Sequence, residues 1–249
     1  MENTDLGNFK PADNGQKRVR RREFFINNSL YLFLILAIIA VEIYNPNFLG
    51  IPSLINILSL SAANLPIALG IAGCIVLTGT DLSAGRIVGL VACVAASLLQ
   101  ASGYQNKMFP SLPTLPIIVA LLLSLFIGGL VGLVNGFCTA KFSLHPFIVT
   151  LSTQLIVYGL LLMYLTVGGN NGQSISGLDE SYTNFISGSI LSIGDTPIPN
   201  FVWYSIVITA IMWVVWNKTA FGKNMFPVGP NPEAANVSGV KVQLTIMMV

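Results

Sequence analysis

The sequence predicts an all-α protein, a polytopic transmembrane helical bundle with six full spans, the start of a seventh, and a cytoplasmic N-terminus. The first observation behind this prediction is composition: 53% of the 249 residues are hydrophobic, 9% are charged, and the mean hydropathy is +0.74. Soluble domains carry about 25% charged residues. A water-soluble chain this poor in charge would have to bury nearly all of its surface, which surface-to-volume scaling does not allow. Lipid is therefore the expected solvent for much of the chain.

The second observation is a series of apolar stretches, each near the ~20 residues that a helix needs to cross the hydrocarbon core. The six stretches are residues 24–44, 54–79, 87–103, 115–140, 146–167 and 198–216. Residues 240–249 begin a seventh. Residues 1–23 are polar and basic, so we expect a disordered cytoplasmic tail followed by a membrane domain over residues 24–249.

The third observation is the distribution of the basic residues. With the N-terminus inside, all but one of the 12 Lys and Arg residues fall in predicted inside segments, and Lys107 is the exception. Short cytoplasmic loops are where these residues concentrate in membrane proteins. The number of spans and the orientation of the chain therefore support each other.

Composition and spacing argue against several function classes. The net charge of +2 gives no support for nucleic-acid binding. The single histidine, His145, has no Cys, Asp or Glu nearby, so neither a metal site nor a His-based catalytic constellation is expected. The three cysteines, Cys74, Cys93 and Cys138, fit no metal or disulfide spacing and are interpreted as small membrane-core residues. The chain also contains no Gly-rich Lys-Ser/Thr phosphate-binding motif. We therefore expect a non-enzyme that itself binds no cofactor.

Small residues repeat every four positions in the fourth predicted span, at Gly128, Gly132 and Gly136. Membrane helices associate through close contact, which small residues permit. The stripe predicts tight helix packing and does not by itself indicate a function.

A polar segment, residues 78–86, interrupts the apolar sequence between the second and third spans. Ionisable residues beside an apolar stretch tend to face a cavity or to pair with a partner. Asp81 has a local partner in Arg86, and either Asp81 or Ser83 is suited to cap the following helix. Two interpretations remain open: a tight, capped cytoplasmic turn, or a helix break that lines a translocation path.

The second predicted span carries polar residues, among them Ser61 and Asn64, and a central proline, Pro66. Residues three apart on a helix share a face. This pattern favours a helix in the interior of the bundle, where the polar groups either join helices together or line a path. The candidate residues for a path are therefore Asn64, Asp81 and Ser83.

The predicted cytoplasmic loop at residues 217–239 is longer than a simple helix connection needs to be. Asn231 is a favourable N-cap, Pro232 suits the first helical position, and Glu233 would lie in the first turn. Gly239 is suited to end the helix. The loop is predicted to hold a short helix of about two turns on the cytoplasmic face.

The motifs at residues 221–224, Gly229, 231–235 and 238–240 resemble the cytoplasmic loop of bacterial sugar ABC-importer permeases, the group of the ribose, xylose and galactose systems. Residues 80–85 (Thr-Asp-Leu-Ser-Ala-Gly) resemble a second signature of the same family. Together with Arg86 and Ile175-Ser176-Gly177, they are most similar to its galactose/methyl-galactoside subgroup. The resemblance covers the chain from about Pro46 to its end.

The resemblance implies a permease that spans the bacterial inner membrane and imports a monosaccharide. It implies an ABC ATPase that uses ATP, a periplasmic sugar-binding protein and a second permease copy as partners, with membrane lipid around them. It also implies that the loop helix is the coupling helix that docks on the ATPase. The residues assigned to coupling in this way are Gly229, Asn231, Pro232, Glu233, Ala234, Ala235, Ser238 and Gly239.

Two departures from the family pattern stand out. Pro227 and Pro230 replace small or apolar residues in the loop, and the chain stops ten residues into the seventh span, so we expect a C-terminally truncated protein that does not transport alone. The alternatives are a non-transporting membrane fragment and an ion-coupled secondary transporter. The latter needs ionisable groups within the membrane, and its candidates, Glu42 and Asp81, lie near helix ends.

Overall fold

The computed structural model describes residues 14–249, which form two compact units, one up to Ile55 and one from Asn56. The candidate functional residues all lie in the second unit.

The first unit begins with helix α1 (Asn14–Asn27) and helix α2 (Ser29–Tyr44). The predicted disordered tail is wrong for residues 14–23, which are helical, and residues 1–13 lie outside the described residues. The helix extends back because the basic run is rich in Arg, Lys and Gln, which are good helix formers. Glu42 accepts a hydrogen bond from the Leu49 amide at 2.8 Å and so stabilises the turn after α2.

The second unit contains the remaining helices, of which α3 begins in the first unit. Their bounds are α3 Ile51–Val76, α4 Ala84–Leu98, α5 Ile117–Phe142, α6 Pro146–Leu165, α7 Glu180–Ser187, α8 Asn200–Lys218, α9 Ala220–Val228, α10 Pro232–Val237 and α11 Val242–Met248. Helix α4 packs against both α5 and α6. Helix α9 packs against α8 and α10, and α11 packs against α5.

Among the described residues, four helices are long and apolar enough to cross a membrane: α3, α5, α6 and α8. Helices α2 and α4 are apolar but shorter, and the 15 residues of α4 extend only about 22 Å. Most large apolar side chains of the long helices are exposed, as expected for surfaces that meet lipid. The polytopic helical membrane protein is confirmed, and the count of six spans stays a prediction.

The protein is not strictly all-α, because strands β1 (Ser189–Ile193) and β2 (Thr196–Pro199) form an antiparallel hairpin in the predicted outer loop. Ile193 pairs with Thr196, so Gly194 and Asp195 form a two-residue turn. Gly194 has a φ of +60°, which tight hairpin turns of this kind require.

A second ordered region in the predicted outer loops is built on the buried side chain of Gln100. Its amide nitrogen donates to the Ser176 carbonyl at 2.8 Å, and its amide oxygen accepts from the Met108 amide at 2.8 Å. The Tyr104 hydroxyl lies 2.7 Å from the Ser176 hydroxyl. The Ile175-Ser176-Gly177 motif thus joins two loop segments. Lys107, the one basic residue predicted outside, is buried here and donates to the Leu112 carbonyl.

The glycine stripe on α5 (Gly128, Gly132 and Gly136) closely contacts α11 at its C-terminal residue, Gly136. A Cβ atom at Gly136 would lie 2.6 Å from the Met247 carbonyl oxygen of α11, so only glycine fits there. A Cβ at Gly132 would meet no atom within 4 Å. The predicted close packing is therefore confirmed at Gly136, whereas Gly132 borders open space.

Candidate functional site

The candidate site is built around the break between α3 and α4. Helix α3 ends at Val76, and Thr78 takes a left-handed conformation with φ of +58°. The Gly79 amide bonds back to the Cys74 carbonyl at 2.8 Å. A Cβ on Gly79 would lie 3.1 Å from Pro146, so this part of the loop packs closely on the start of α6.

Asp81 organises the start of α4. Its Oδ1 accepts hydrogen bonds from the Ser83 amide at 2.7 Å and from the Ser83 hydroxyl at 2.6 Å, and the Ser83 side chain is completely buried. These two bonds fix the loop just before α4, whose N-cap position is Ser83, and the Ser83 side chain makes no capping bond to the helix. The alternative pairing of Asp81 with Arg86 is not what the structure shows, because the Arg86 guanidinium lies over the Tyr158 ring, 4.3 Å from its centroid.

A chain of side-chain hydrogen bonds extends from Ser83 into two neighbouring helices. The Asn135 amide nitrogen on α5 donates to the Ser83 hydroxyl at 3.0 Å. The Thr153 hydroxyl on α6 donates to the Asn135 amide oxygen at 2.6 Å. Four side chains from the loop and two helices therefore form one connected series.

Thr150 ties the backbone of the same loop to α6. Its hydroxyl accepts from the Leu82 amide at 3.2 Å and donates to the Thr80 carbonyl at 3.1 Å. Backbone groups left without a helix partner by the break are satisfied in this way.

The break runs inward along its neighbouring helices, from Gly79 at Pro146, the first residue of α6, to Ser83, which bonds to Asn135 within α5. Asn135 precedes the end of α5 at Phe142 by seven residues, and Thr153 follows the start of α6 at Pro146 by seven residues. At 1.5 Å per residue each distance is about 10 Å. Irregular backbone at such depth is tolerated where it lines a cavity or is buried in protein. This placement favours the helix break over the simple cytoplasmic turn.

A cavity of about 860 Å³ lies against Asp81 and Asn135 and reaches the predicted cytoplasmic loop. Pro232, Glu233 and Asn236 of α10 belong to its wall. The structure therefore brings together the two segments that the sequence singled out separately, the Asp81 motif and the loop helix.

A second cavity of about 690 Å³ lies between α3, α4 and α5 and is mostly apolar. It also includes Asp81, together with Gly128 and Gly132 of the glycine stripe and Tyr182 of α7. The two cavities share part of their lining at Cys74, Asp81, Ile87, Gly132 and Val249. Asp81 is the one carboxylate in this shared wall.

Helix α10 has the ends that the sequence predicts. The Asn231 side chain accepts from the Ala234 amide at 2.9 Å, and Pro232 is the first helical residue. At the other end Gly239 has a φ of +84°, and its amide and that of Val240 bond back to carbonyls of the last turn, which is a Schellman motif. Every residue of α10 except Ala235 is exposed.

The rest of the loop differs from the prediction, which had one helix. Helix α9 is a second one, capped by the Thr219 hydroxyl, which accepts from the Gly222 amide at 3.3 Å, and it includes Pro227 in its last turn. The buried Gly229 packs against the backbone at the end of α3, where a Cβ would collide with Val76. Thus the loop is anchored to the same helix that the break terminates.

Asn64 lies apart from the site. It is exposed on α3, donates to the Leu60 carbonyl of its own helix at 2.8 Å, and lines neither cavity. Asn135, Thr150 and Thr153 are the functional candidates that sequence reasoning missed. Asn135 carries a polar amide within a long uncharged apolar span. The same kind of signal indicated Asn64, and applied to the fourth span it would have indicated Asn135.

The described residues contain no cluster of His, Cys, Asp and Glu suited to a metal ion. On the outer side, Asp179 caps α7 through bonds from the Ser181 hydroxyl and amide to its Oδ1. These two donors, the hydroxyl first, hold the pKa of Asp179 below its ordinary value because they stabilise the charged form.

Residues 53–249 match the family described as "Branched-chain amino acid transport system / permease component". The chain belongs to this permease family. The permease is 44% identical over 220 residues to the galactose/methyl galactoside import permease protein MglC of Escherichia coli, covering 88% of this chain and 65% of that protein. The corresponding protein of Haemophilus influenzae is 39% identical, with 89% and 65% covered. No solved structure matches the permease.

A further relative, the ribose import permease protein RbsC of Bacillus subtilis, is 31% identical, with 94% of the permease and 66% of that relative covered. The permease spans 65% of the length of both galactose relatives. The resemblance to sugar ABC permeases is confirmed. As a member of this permease family with several apolar helices, the chain is a multi-pass protein of the inner membrane.

Proposed function

We propose that this chain acts as the membrane-spanning subunit of an ATP-driven importer that moves a monosaccharide, galactose or methyl galactoside, into the cytoplasm. The relatives with the highest identities named above are galactose/methyl galactoside import permeases, which supports the choice of sugar. A periplasmic sugar-binding protein would deliver the substrate, and a second permease copy would complete the path. Tyr182, beside the second cavity, and the acidic outer loop are candidates to meet the binding protein.

The observation that carries this proposal is the cavity that joins Asp81 to α10. A transporter driven by a separate ATPase needs a mechanical link between its path and a docking surface. Asp81, Asn135 and Glu233 of α10 all belong to the wall of this cavity. Movement of α10 would therefore change the shape of a space bordered by the proposed path residues.

The surface of α10 has the properties of a docking element. Val237 is 90% exposed, which is unusual for a large apolar side chain outside the membrane. The helix is capped at both ends and packs against α9, so its shape is held while most of its surface stays exposed. We infer that an ATPase subunit covers this surface and uses ATP to push on α10, because the chain has no ATP-binding motif of its own.

The remaining spans follow from the same proposal. Helices α2 and α4 would cross as the first and third spans, with α4 entering the membrane at the break and therefore needing fewer residues. A second copy of the permease would shield polar groups such as Asn64, which this chain leaves exposed.

The test compares two acidic residues in the first turns of short helices at opposite ends of the protein, Glu233 of α10 and Glu180 of α7. Glu233→Lys reverses the charge on the proposed docking surface and is expected to reduce co-purification of the ATPase by about tenfold or more, a loss of about 1.4 kcal/mol. Glu180→Lys is the matched control and should leave co-purification unchanged. Equal recovery of the ATPase with both variants would refute the docking assignment.

Uptake of labelled galactose by cells that contain this chain and its partner subunits then tests transport itself. The proposal expects uptake, and that result would overturn the sequence-based expectation that the chain does not transport. Uptake should continue when an uncoupler removes the ion gradients while the ATP level is held constant. If uptake instead collapses, the energy comes from an ion gradient and the ATP-driven importer is wrong.

A further inference from the structure

The hydrogen-bond series from Asp81 to Thr153 has only one possible direction. A carboxylate can only accept, so the Ser83 hydroxyl must donate to Asp81. Because a hydroxyl has a single proton, the Ser83 oxygen must then accept from Asn135, and the donor is the amide NH₂. The amide oxygen of Asn135 is left to accept, so Thr153 must donate to it. All three donors therefore point toward Asp81.

This series uses one of the two oxygens of Asp81. Oδ1 receives both bonds from Ser83, whereas no described residue donates to Oδ2. Oδ2 is also absent from the buried polar atoms without a partner, so it is accessible. Since Asp81 lies in the wall of both cavities, one acceptor oxygen is held beside the space where they adjoin.

We propose that Asn135 and Thr153 are positioning residues that orient Asp81, so that its Oδ2 accepts a hydrogen bond from a hydroxyl of a neutral, polyhydroxylated ligand. The inference rests on the proposed function and names the group that meets the sugar. A fixed carboxylate acceptor favours a ligand that brings a hydroxyl donor and disfavours one that brings a negative charge. Galactose satisfies this requirement, whereas galacturonate does not.

We call the series Thr153–Asn135–Ser83–Asp81 the relay. It differs from ordinary packing because it depends on the donor group of Asn135 and not on the volume of that side chain. Asn135 is 9% exposed and Ser83 is 0% exposed, so water cannot replace a lost partner at Ser83. Thr150 holds the loop through backbone atoms alone, and it therefore supports the loop without setting the direction of the side-chain series.

The decisive variant is Asn135→Asp, which keeps the shape and changes the donor. An ionised carboxyl at this position cannot donate to Ser83 and repels Asp81, whereas a protonated carboxyl donates through its O–H and restores the series. Asn135→Leu has no donor at any pH and is the matched control. Other titratable groups beside the cavity are Cys74, Asp81, Glu233 and Lys241. Cys74, Glu233 and Lys241 are present in both variants, so the comparison cancels their contribution. Asp81 is linked to the new carboxyl through Ser83, and the two titrate as a pair.

Two measurements are made on each variant in acidic and in neutral buffer. The first is the thermal midpoint of the purified chain in detergent, and the second is the apparent KM for galactose uptake by the complete importer. We expect Asn135→Asp to raise KM about tenfold at neutral pH and to recover most of this loss in acid, while Asn135→Leu stays impaired at both pH values. The midpoint of Asn135→Asp should rise toward that of the wild type in acid for the same reason.

Thr153 provides a second pair of variants. Thr153→Val removes the hydroxyl at constant shape and is expected to raise KM about threefold. Thr153→Ser keeps the donor and should leave KM at the wild-type value. If Asn135→Asp shows no recovery in acid in either measurement, the relay is wrong. If the midpoint recovers but the wild-type chain with its partners moves no galactose, the relay stands and the proposed transport function fails.

Discussion

The same local motif, Asp-x-Ser, occurs twice in this protein, each time at the start of a helix: Asp179 is the N-cap of α7, and Asp81 lies two residues before the N-cap of α4. In both copies the aspartate Oδ1 accepts from the amide and the hydroxyl of the serine two residues later, Ser83 at the start of α4 and Ser181 at the start of α7. Ser83 is completely buried and accepts a further bond from Asn135. Ser181 is exposed and has no such partner among the described residues.

The difference shows that the surroundings, and not the motif, separate a helix cap from a candidate functional group. At α7 the serine is exposed to solvent, and the motif only stabilises the start of the helix. At α4 the buried Ser83 links the loop to α5 and, through Asn135, to α6. The Asp81 carboxylate lies in the wall of two cavities. The two motifs therefore serve as each other's controls.

The largest expected effect is on transport, from Asp81→Asn compared with Asp179→Asn. The first variant removes the charge beside the cavities and places an amide where a carboxylate was, so galactose uptake should fall by about tenfold or more, corresponding to about 1.4 kcal/mol. The second variant changes the same chemistry at the surface and should leave uptake at the wild-type level. Uptake rates normalised to the amount of membrane-inserted protein give the comparison. A similar loss in both variants would mean that the cavity position of Asp81 has no special role.

A smaller effect is expected on stability, from Ser83→Ala compared with Ser181→Ala. Removal of the Ser83 hydroxyl leaves the buried Asn135 amide nitrogen without its acceptor, which costs about 1–3 kcal/mol. Removal of the exposed Ser181 hydroxyl should cost less than about 0.5 kcal/mol. Denaturant unfolding in detergent measures both. Equal values would indicate that Asn135 finds another acceptor when Ser83 is lost.

The smallest expected effect is the pH dependence of the α7 cap. The pKa of Asp179 is lowered in the folded protein, so its contribution to stability is complete above its ordinary pKa and is lost as the pH falls through the lowered value. The hydrogen-exchange protection factors of the first turn of α7, which account for the slower intrinsic exchange in acid, should fall in acid in the wild type, whereas those of Asp179→Asn should show no such fall. Persistence of the acid effect in Asp179→Asn would assign it to another group.

The sequence allowed a correct prediction where the physical cause is local and several signals agree. Asn231, Pro232 and Gly239 mark the ends of α10 because capping depends on residues within one turn. The hairpin and helix α9 were missed because their signals, a Gly-Asp turn and a threonine cap, lie in segments that also have the composition of simple loops.

The composition and the order of the apolar stretches by themselves determined that this is a polytopic helical membrane protein, since lipid accepts only segments that satisfy their own backbone hydrogen bonds. The motif residues likewise indicate Asp81 and the α10 loop as functional candidates. Only the tertiary structure placed these two segments on one cavity and joined Asp81 to Asn135 and Thr153. Contacts between residues 52 and 18 positions apart depend on how helices pack, and side-chain packing between helices leaves no periodic signal in one sequence.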